Sequence, residues 1–318
     1  MKINNHDFRY GLFLAPMAGV TDRAYRALCV RYGAELVTTE LVSAKAVTMG
    51  DERTFRLASL TEDEHPAAIQ IFGSDPSVMG EAAYKLMKLS PDMIDINMGC
   101  PVPKIVRNGE GCALMQDVEK AGRIVESVVK SVSVPVTVKM RIGMDENSLN
   151  APELAKVCEQ AGASMITVHG RTRSKMYSGV SDCSEIRKVK NAVSVPVIAS
   201  GDVGLTLKGD EAYSLTGADG LAVGRAAMGA PWIFAYLKDD IDGVPRRVIS
   251  DLEKLSVIKE HIDRLLHFEG ERALCQMRTH LAWYTKGLRG SAALRRNINT
   301  AVTKNDFYTL AECIFAQC

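Results

Sequence analysis

Cys100 stands at the lip of a turn, in the stretch Asp92-Met-Ile-Asp-Ile-Asn-Met-Gly-Cys-Pro-Val-Pro-Lys104. An apolar run that ends in Gly and Pro reads as a buried strand delivering a thiol to a loop. A thiol so placed can give or take a proton near neutrality. Pro101 and Pro103 are expected to stop a helix from continuing through the turn, and Gly99 permits close approach of a flat ligand. Asn97, one polar side chain in an otherwise apolar strand end, weighs against the bland alternative of a free cysteine that happens to close a strand. A second Gly-rich turn, Asn108-Gly-Glu-Gly-Cys-Ala113, follows before the next helix.

Two further turns contain glycine, Ala199-Ser-Gly-Asp-Val203 and Ala222-Val-Gly-Arg-Ala226. Glycine lets backbone N–H groups converge on an anion, and Arg225 adds a charge-assisted contact, so the pair favours a phosphorylated cofactor over ordinary turns. Lys139 supplies a cation, Gln70 an amide and Pro16-Met17-Ala18 a neutral backbone edge. Those groups suit the heteroatom rim of a flavin, where positive charge stabilises the anionic reduced form. A lysine here could instead form a Schiff base, as in barrel aldolases. Cys100 favours the redox reading.

The elements that must position these groups alternate regularly. Strands are expected at Leu12–Ala15, Leu36–Glu40, Ala68–Phe72, Met93–Asn97, Val136–Met140, Met165–His169, Val197–Ser200 and Gly220–Val223, eight in all. Helical patterns at Asp22–Tyr32, Val78–Leu89, Val118–Val129, Ala151–Ala161 and Cys183–Asn191 lie between many of them. Such alternation calls for a parallel sheet, and eight strands in about 220 residues fit an α/β (β/α)8 TIM barrel better than an open doubly wound sheet. No Gly-x-Gly-x-x-Gly follows the first strand. In a barrel the strand carboxyl ends share one face, and function belongs there. Those ends carry Pro16, Met17, Ala18, Glu40, Gln70, Asn97, Cys100, Lys139, Arg141, His169, Arg171, Arg173, Ser200, Gly201, Asp202, Gly224 and Arg225. After Trp232 the pattern turns helical: Ile249–Phe268, Ala273–Lys286, Ala292–Asn299 and Phe307–Phe315 have no strands between them. The reading is a catalytic barrel over 1–244 and a small all-helical domain over 245–318, with Asp242-Gly-Val-Pro245 as the boundary turn.

Composition narrows the class. The 318 residues suffice for one large domain or a barrel with an appendage, and 47% hydrophobic with 24% charged residues is ordinary for a globular protein. No run is long enough to span a bilayer and no secretory segment opens the chain, so a cytoplasmic protein without membrane contact is expected. The 8 cysteines form no Cys-x-x-Cys pair and no zinc-like spacing with histidine, so no metal is expected; Cys29 and Cys158 read as small buried hydrophobes. Net charge is only +1, but between Glu271 and Asp306 there are seven Lys or Arg residues and no acidic ones.

Leu14-Ala-Pro-Met-Ala-Gly-Val-Thr-Asp22, Glu40-Leu-Val-Ser-Ala44, Gln70-Ile-Phe-Gly73, Asp95-Ile-Asn-Met-Gly-Cys-Pro101, Val138-Lys-Met-Arg-Ile-Gly143, Val168-His-Gly-Arg-Thr-Arg173 and Gly217-Ala-Asp-Gly220 follow one another along the chain. In type and order they resemble the flavin-dependent tRNA-dihydrouridine synthases, from about residue 8 to the carboxyl-terminal helices. Met277-Arg-Thr-His-Leu-Ala-Trp-Tyr-Thr-Lys-Gly287 is most similar to the bacterial B-type members. The resemblance implies FMN on the barrel's carboxyl face, reduced by NADPH, and hydride transfer from flavin N5 to C6 of a uracil ring, with Cys100 protonating C5. Carried over by position, Pro16, Met17, Ala18, Gln70, Lys139, Ser200, Gly201, Asp202, Gly224 and Arg225 would contact FMN, with His169 beside the ring. Asn97, Lys139 and Arg141 would lie near the uracil edge, and Arg171 and Arg173 are candidates for RNA phosphate. Many relatives have Asn-Gly-Asp where this chain has Ser200-Gly201-Asp202, which leaves the side-chain role at Ser200 open.

A uridine in folded RNA must be turned out of its stack to reach a recessed site. Arg272, Arg278, Lys286, Arg289, Arg295, Arg296 and Lys304 could hold the RNA by its phosphates, with Tyr284 nearby and Trp283 in the core. No obligate protein partner is indicated. Two other classes remain in view: an FMN barrel enzyme reducing a free pyrimidine, which leaves the basic helices idle, and a non-enzymatic RNA-binding barrel, which wastes Cys100 and Lys139.

Overall fold

The computed structural model describes residues 1–288 and 291–315. Eight strands form the barrel: β1 (Leu12–Leu14), β2 (Leu36–Thr38), β3 (Ala67–Phe72), β4 (Met93–Met98), β5 (Val136–Arg141), β6 (Met165–His169), β7 (Val197–Ser200) and β8 (Gly220–Val223). Each pairs in parallel with the next, and β8 pairs with β1 to close the ring. All eight expected strands are present, three with the expected bounds and the rest with an end shifted by one or two residues.

Outside the ring lie α1 (Arg23–Arg31), α2 (Pro76–Leu86), α3 (Val118–Ser131), α4 (Ala151–Gln160), α5 (Cys183–Ala192), α6 (Gly209–Thr216) and α7 (Ile233–Ile241). The last two and the short helices Ala44–Thr48 and Glu52–Leu57 were not expected; the two short ones, of 5 and 6 residues, hold too few turns to repeat a pattern. No helix runs through the turn at 99–102; Pro103 opens one after it, Pro103–Arg107, at the first position where its missing N–H costs nothing.

Strand alternation divides the barrel's side chains into two sets. Ile94, Ile96 and Met98 face the helices and join the large outer core. Phe13, Ala15, Leu36, Ala68, Met93, Met165, Ile198 and Ala222 fill the barrel's interior. A hairpin of Lys2–Ile3 and His6–Asp7, absent from the sequence reading, brings Ile3 and Phe8 against this inner set, with Phe8 edge-on to Phe13 at 4.9 Å.

Four helices follow: α8 (Asp251–Glu269), α9 (Leu274–Tyr284), α10 (Ser291–Thr300) and α11 (Lys304–Phe315). Their apolar faces, including Val257, Ile258, Ile262, Leu281 and Phe307, belong to the same buried cluster as the barrel's outer shell. The approach is close at Gly229, whose φ is +71°, where a Cβ would come within 2.4 Å of the Trp283 carbonyl carbon. Only glycine suits both that conformation and that clearance. Tyr25 of α1 donates to the Ala227 carbonyl on the same side. No described helix is long and apolar enough to cross a membrane.

Candidate active site

A cavity of about 410 Å³ opens at the carboxyl ends of the strands. Pro16, Met17, Ala18, Gln70, Asn97, Cys100, Lys139, Arg141, His169, Ser200, Gly201, Asp202, Gly224 and Arg225 all line it. Period two explains much of this convergence. Gln70, Asp95 with Asn97, Lys139 with Arg141, and His169 are inward positions of neighbouring strands, and the ladder sets Asn97 opposite Lys139 and Arg141 opposite His169.

Cys100 is half-buried. Its backbone N–H and that of Gly99 donate to Asn97 Oδ1 at 2.9 and 3.1 Å, so the strand's last amide caps the turn that carries the thiol. Burial raises the thiol's pKa, against the opposing pull of the Val102 N–H, Arg141 and Lys139. The thiol therefore holds its proton at neutral pH. Burial and the neighbouring Arg141 lower Lys139 to about 8, which leaves it largely cationic at pH 7. His169 is pushed well below its ordinary value by burial and then by Lys139, Arg141, Arg171 and Arg225, so its ring is neutral.

Arg141 is 2% exposed and is a clamp as well as a lining residue. Nε donates to the Gly99 carbonyl at 3.0 Å, while Nη1 reaches the Thr172 and Met176 carbonyls at 2.9 and 2.8 Å. It thereby ties the cysteine turn to the loop after β6. That loop brings in Tyr177, which sequence reading missed: it lines the cavity, and the guanidinium carbons of Arg141 and Arg225 lie 5.7 and 5.3 Å from its ring centroid. An exposed aromatic in a glycine-flanked polar loop gives no periodic signal.

The expectation that Arg171 meets RNA phosphate is overturned. The side chain is buried, with Nη2 2.8 and 2.7 Å from the two Asp202 oxygens and further bonds to the Ser178 and Gly179 carbonyls. Asp202, at φ +62°, turns its carboxylate toward this arginine, and Arg225 and the Ser181 N–H complete the set. Burial raises that carboxyl, but the Arg171 bond, the Ser181 amide and the two arginine charges outweigh it and the net shift is downward. Asp202 and Arg171 thus brace the turn, leaving its backbone to face the cavity. Gly201 is required there: φ is +111°, and a Cβ would meet Ser181 Oγ at 2.4 Å.

The remaining basic candidates are dispersed outside the cavity. Arg173 is half-buried, and its Nε has no partner among the described residues. Arg278 spends its fork on the Ala301 carbonyl, at 2.9 and 2.7 Å, and Lys304 pairs with Asp263 at 2.7 Å. Arg272, Lys286, Arg295 and Arg296 are exposed. Tyr284, expected near RNA, is buried with its hydroxyl on His261 Nδ1; Trp283 packs half-buried against the core. Arg289 lies outside the described residues.

Sequence reading also missed Asp95 and Thr137 as site residues. Asp95 lies two positions before Asn97, on the same face, and Thr137 two before Lys139; that spacing was the available signal. Thr137 Oγ1 donates to Asp95 Oδ1 at 2.5 Å, and Gln70 Nε2 to Asp95 Oδ2 at 2.6 Å.

The family described as "Dihydrouridine synthase (Dus)" matches residues 13–317. A protein of Rickettsia conorii named "Probable tRNA-dihydrouridine synthase" is 41% identical over 305 residues, covering 94% of this chain and 91% of its own. One of Pseudomonas aeruginosa named "tRNA-dihydrouridine synthase B" is 40% identical over 305 residues, with 94% and 91% covered. Among solved structures, one titled "Crystal structure of TcOYE with pHBA" shares the fold at a TM-score of 0.57 and 11% identity, covering 80% of this chain and 94% of that one.

Proposed function

The chain belongs to the dihydrouridine synthase family, and from that premise we propose that it reduces the C5–C6 double bond of specific uridines in tRNA to 5,6-dihydrouridine. The observation that carries the reading is a protonated thiol, Cys100, held on the rim of a cavity whose same wall presents Lys139 and Arg141.

The cavity suits FMN in size, since cofactor pockets run to roughly 300–1,000 Å³. Lys139 and Gln70 would meet the heteroatom edge, Pro16-Met17-Ala18 its neutral side, and the turns at Gly201 and Gly224 with Arg225 the phosphate. FMN, when bound and reduced by NADPH, would supply the hydride for C6. The chain's own part is the proton. Cys100 Sγ–H gives it to C5, and Lys139 and Arg141, the cations that already pull its pKa down, stabilise the thiolate left behind until solvent reprotonates it. Asn97 and Arg141 orient the uracil edge. The barrel, 1–244, is the catalytic domain. The helices of 245–318 are the tRNA-binding domain, with Arg272, Lys286, Arg295 and Arg296 as its exposed cations and Arg173 nearer the mouth.

The test is mass spectrometry of nucleosides from unmodified tRNA incubated with the protein, FMN and NADPH. A gain of two hydrogens on uridine supports the reading. NADPH oxidation with no change in any uridine, and turnover on free uridine instead, would replace it with a small-molecule pyrimidine reductase.

A further inference from the structure

Gln70 and Asn97 of the cavity wall, with Asp95 and Thr137 behind them, form one hydrogen-bonded chain of buried side chains. Asp95 accepts from Thr137 and Gln70; Gln70 Oε1 accepts from Asn97 Nδ2 at 2.9 Å; Asn97 Oδ1 accepts from the Gly99 and Cys100 amides. Thr137, Gln70, Asp95 and Asn97 are 1, 1, 5 and 8% exposed. The chain has a direction that does not depend on how each amide is assigned. One end is a carboxylate that accepts both of its bonds, and the other is a pair of backbone N–H groups that can only donate. Each amide between them must therefore point NH2 toward Asp95 and oxygen toward Cys100.

That direction fixes what is left for a ligand. Asn97 has both lone-pair positions filled and keeps a single N–H. Gln70 keeps one N–H and one lone pair. Lys139 and Arg141, beside them, can only donate. We infer that Asp95 is a positioning residue which, through Gln70 and Asn97, turns the free group of Asn97 into a donor beside the donors of Lys139 and Arg141 and holds the Cys100 turn in place. These three donors accept a carbonyl oxygen on a ring edge and oppose an amino group in its place, because a buried donor facing a donor leaves both unpaired. Resting on the function proposed above, this is a basis for taking uridine and refusing cytidine at the same place in the RNA.

The relay is tested on the full-length, FMN-loaded protein. Asp95→Leu removes the accepting end, and single-turnover reduction of tRNA is expected to slow about 100-fold. Asp95→Asn retains an oxygen toward Gln70, with its NH2 toward the Thr137 hydroxyl, and is expected to stay within about fivefold of wild type. Asp95→Leu combined with Asn97→Ala is expected to be no slower than Asn97→Ala alone, since both act on one chain. Alkylation of Cys100 by iodoacetamide, followed by peptide mass mapping, is expected to quicken several-fold in Asp95→Leu and not in Asp95→Asn. That readout does not depend on the substrate, so it judges the relay even if no uridine is reduced. Wild-type rates in Asp95→Leu, or full additivity with Asn97→Ala, would overturn the relay. Asp95→Asn as slow as Asp95→Leu would also overturn it, making charge rather than hydrogen-bond direction the cause. If Asp95→Leu does not fold, Gln70→Met cuts the same chain at its middle link and carries the same expectations.

Discussion

Two of the protein's polar clusters, one at the barrel mouth and one where the helices dock, are built on opposite plans. At the mouth, amides run between an accepting carboxylate and two donating backbone groups, and each link agrees with the next. At the junction, Asp22 caps α1 through the Tyr25 N–H and also receives Gln276 and His280 of α9, each at 3.1 Å. His261 of α8 stands 4.5 Å from the His280 ring and bonds Tyr284. There the count does not close: His261 Nε2 and His280 Nδ1 are buried without partners among the described residues. Amides between fixed ends have one favourable arrangement. The His261 imidazole can gain a proton, so the junction's state depends on pH while the mouth's direction does not.

The greatest expected effect separates chemistry from docking. Cys100→Ala should keep flavin and its reduction by NADPH while slowing RNA reduction by roughly 10²–10⁴, the usual contribution of a positioned acid. Equal product formation in a single turnover would remove Cys100 as the proton donor. His280→Ala should act on the other cluster, because it leaves the Asp22 carboxylate, only 10% exposed, with one partner fewer. A loss of about 3 kcal/mol in denaturant unfolding is expected. A loss below about 0.5 kcal/mol would mean that apolar packing alone docks the helices.

The two clusters also respond to acid with opposite signs. Burial and the neighbouring His280 lower His261 from 6.5 to about 3. The unfolded chain binds a proton below pH 6.5 that the folded chain refuses, so stability falls as pH drops from 6.5 toward 3, by up to ~1.4 kcal/mol per unit. Burial pushes Asp22 up, but His280, the charge on His261 and the Tyr25 amide outweigh it and hold it at about 2, against 3.8 unperturbed. Its stabilisation is complete above 3.8 and is lost from there down through 2. Asp95 shifts upward, mainly by burial, so its carboxyl returns stability on acidification. His261→Gln should flatten the decline between pH 7 and pH 5 in thermal melts; an unchanged slope would move the acid sensitivity elsewhere. Smallest is the surface term. Arg295→Ala with Arg296→Ala should weaken tRNA binding about tenfold and reduce the steepness of its salt dependence, leaving both clusters intact. Equal affinity across a salt series would put the RNA on another face.

What the amino-acid order determined by itself was local. The eight barrel strands were legible because apolar runs bounded by Gly and Pro repeat, and Cys100, Lys139 and the two glycine turns stood at their ends. Period two was enough to set Asp95 with Asn97 and Lys139 with Arg141 on one face. Tertiary structure decided which charges meet each other and which meet solvent. Arg171 looked like one more loop cation until Asp202, from the next strand end, drew it into the interior. The basic run after Glu271 looked uniform, yet Arg278 ends on the Ala301 carbonyl just past α10 and Lys304 on Asp263, while Arg295 and Arg296 stay exposed. Asp22 and His280 are 258 positions apart. Short-range patterns record which face a side chain takes, because the backbone period is local. Whether a charge is paired depends on the segment that folds against it, and chain order does not carry that distance.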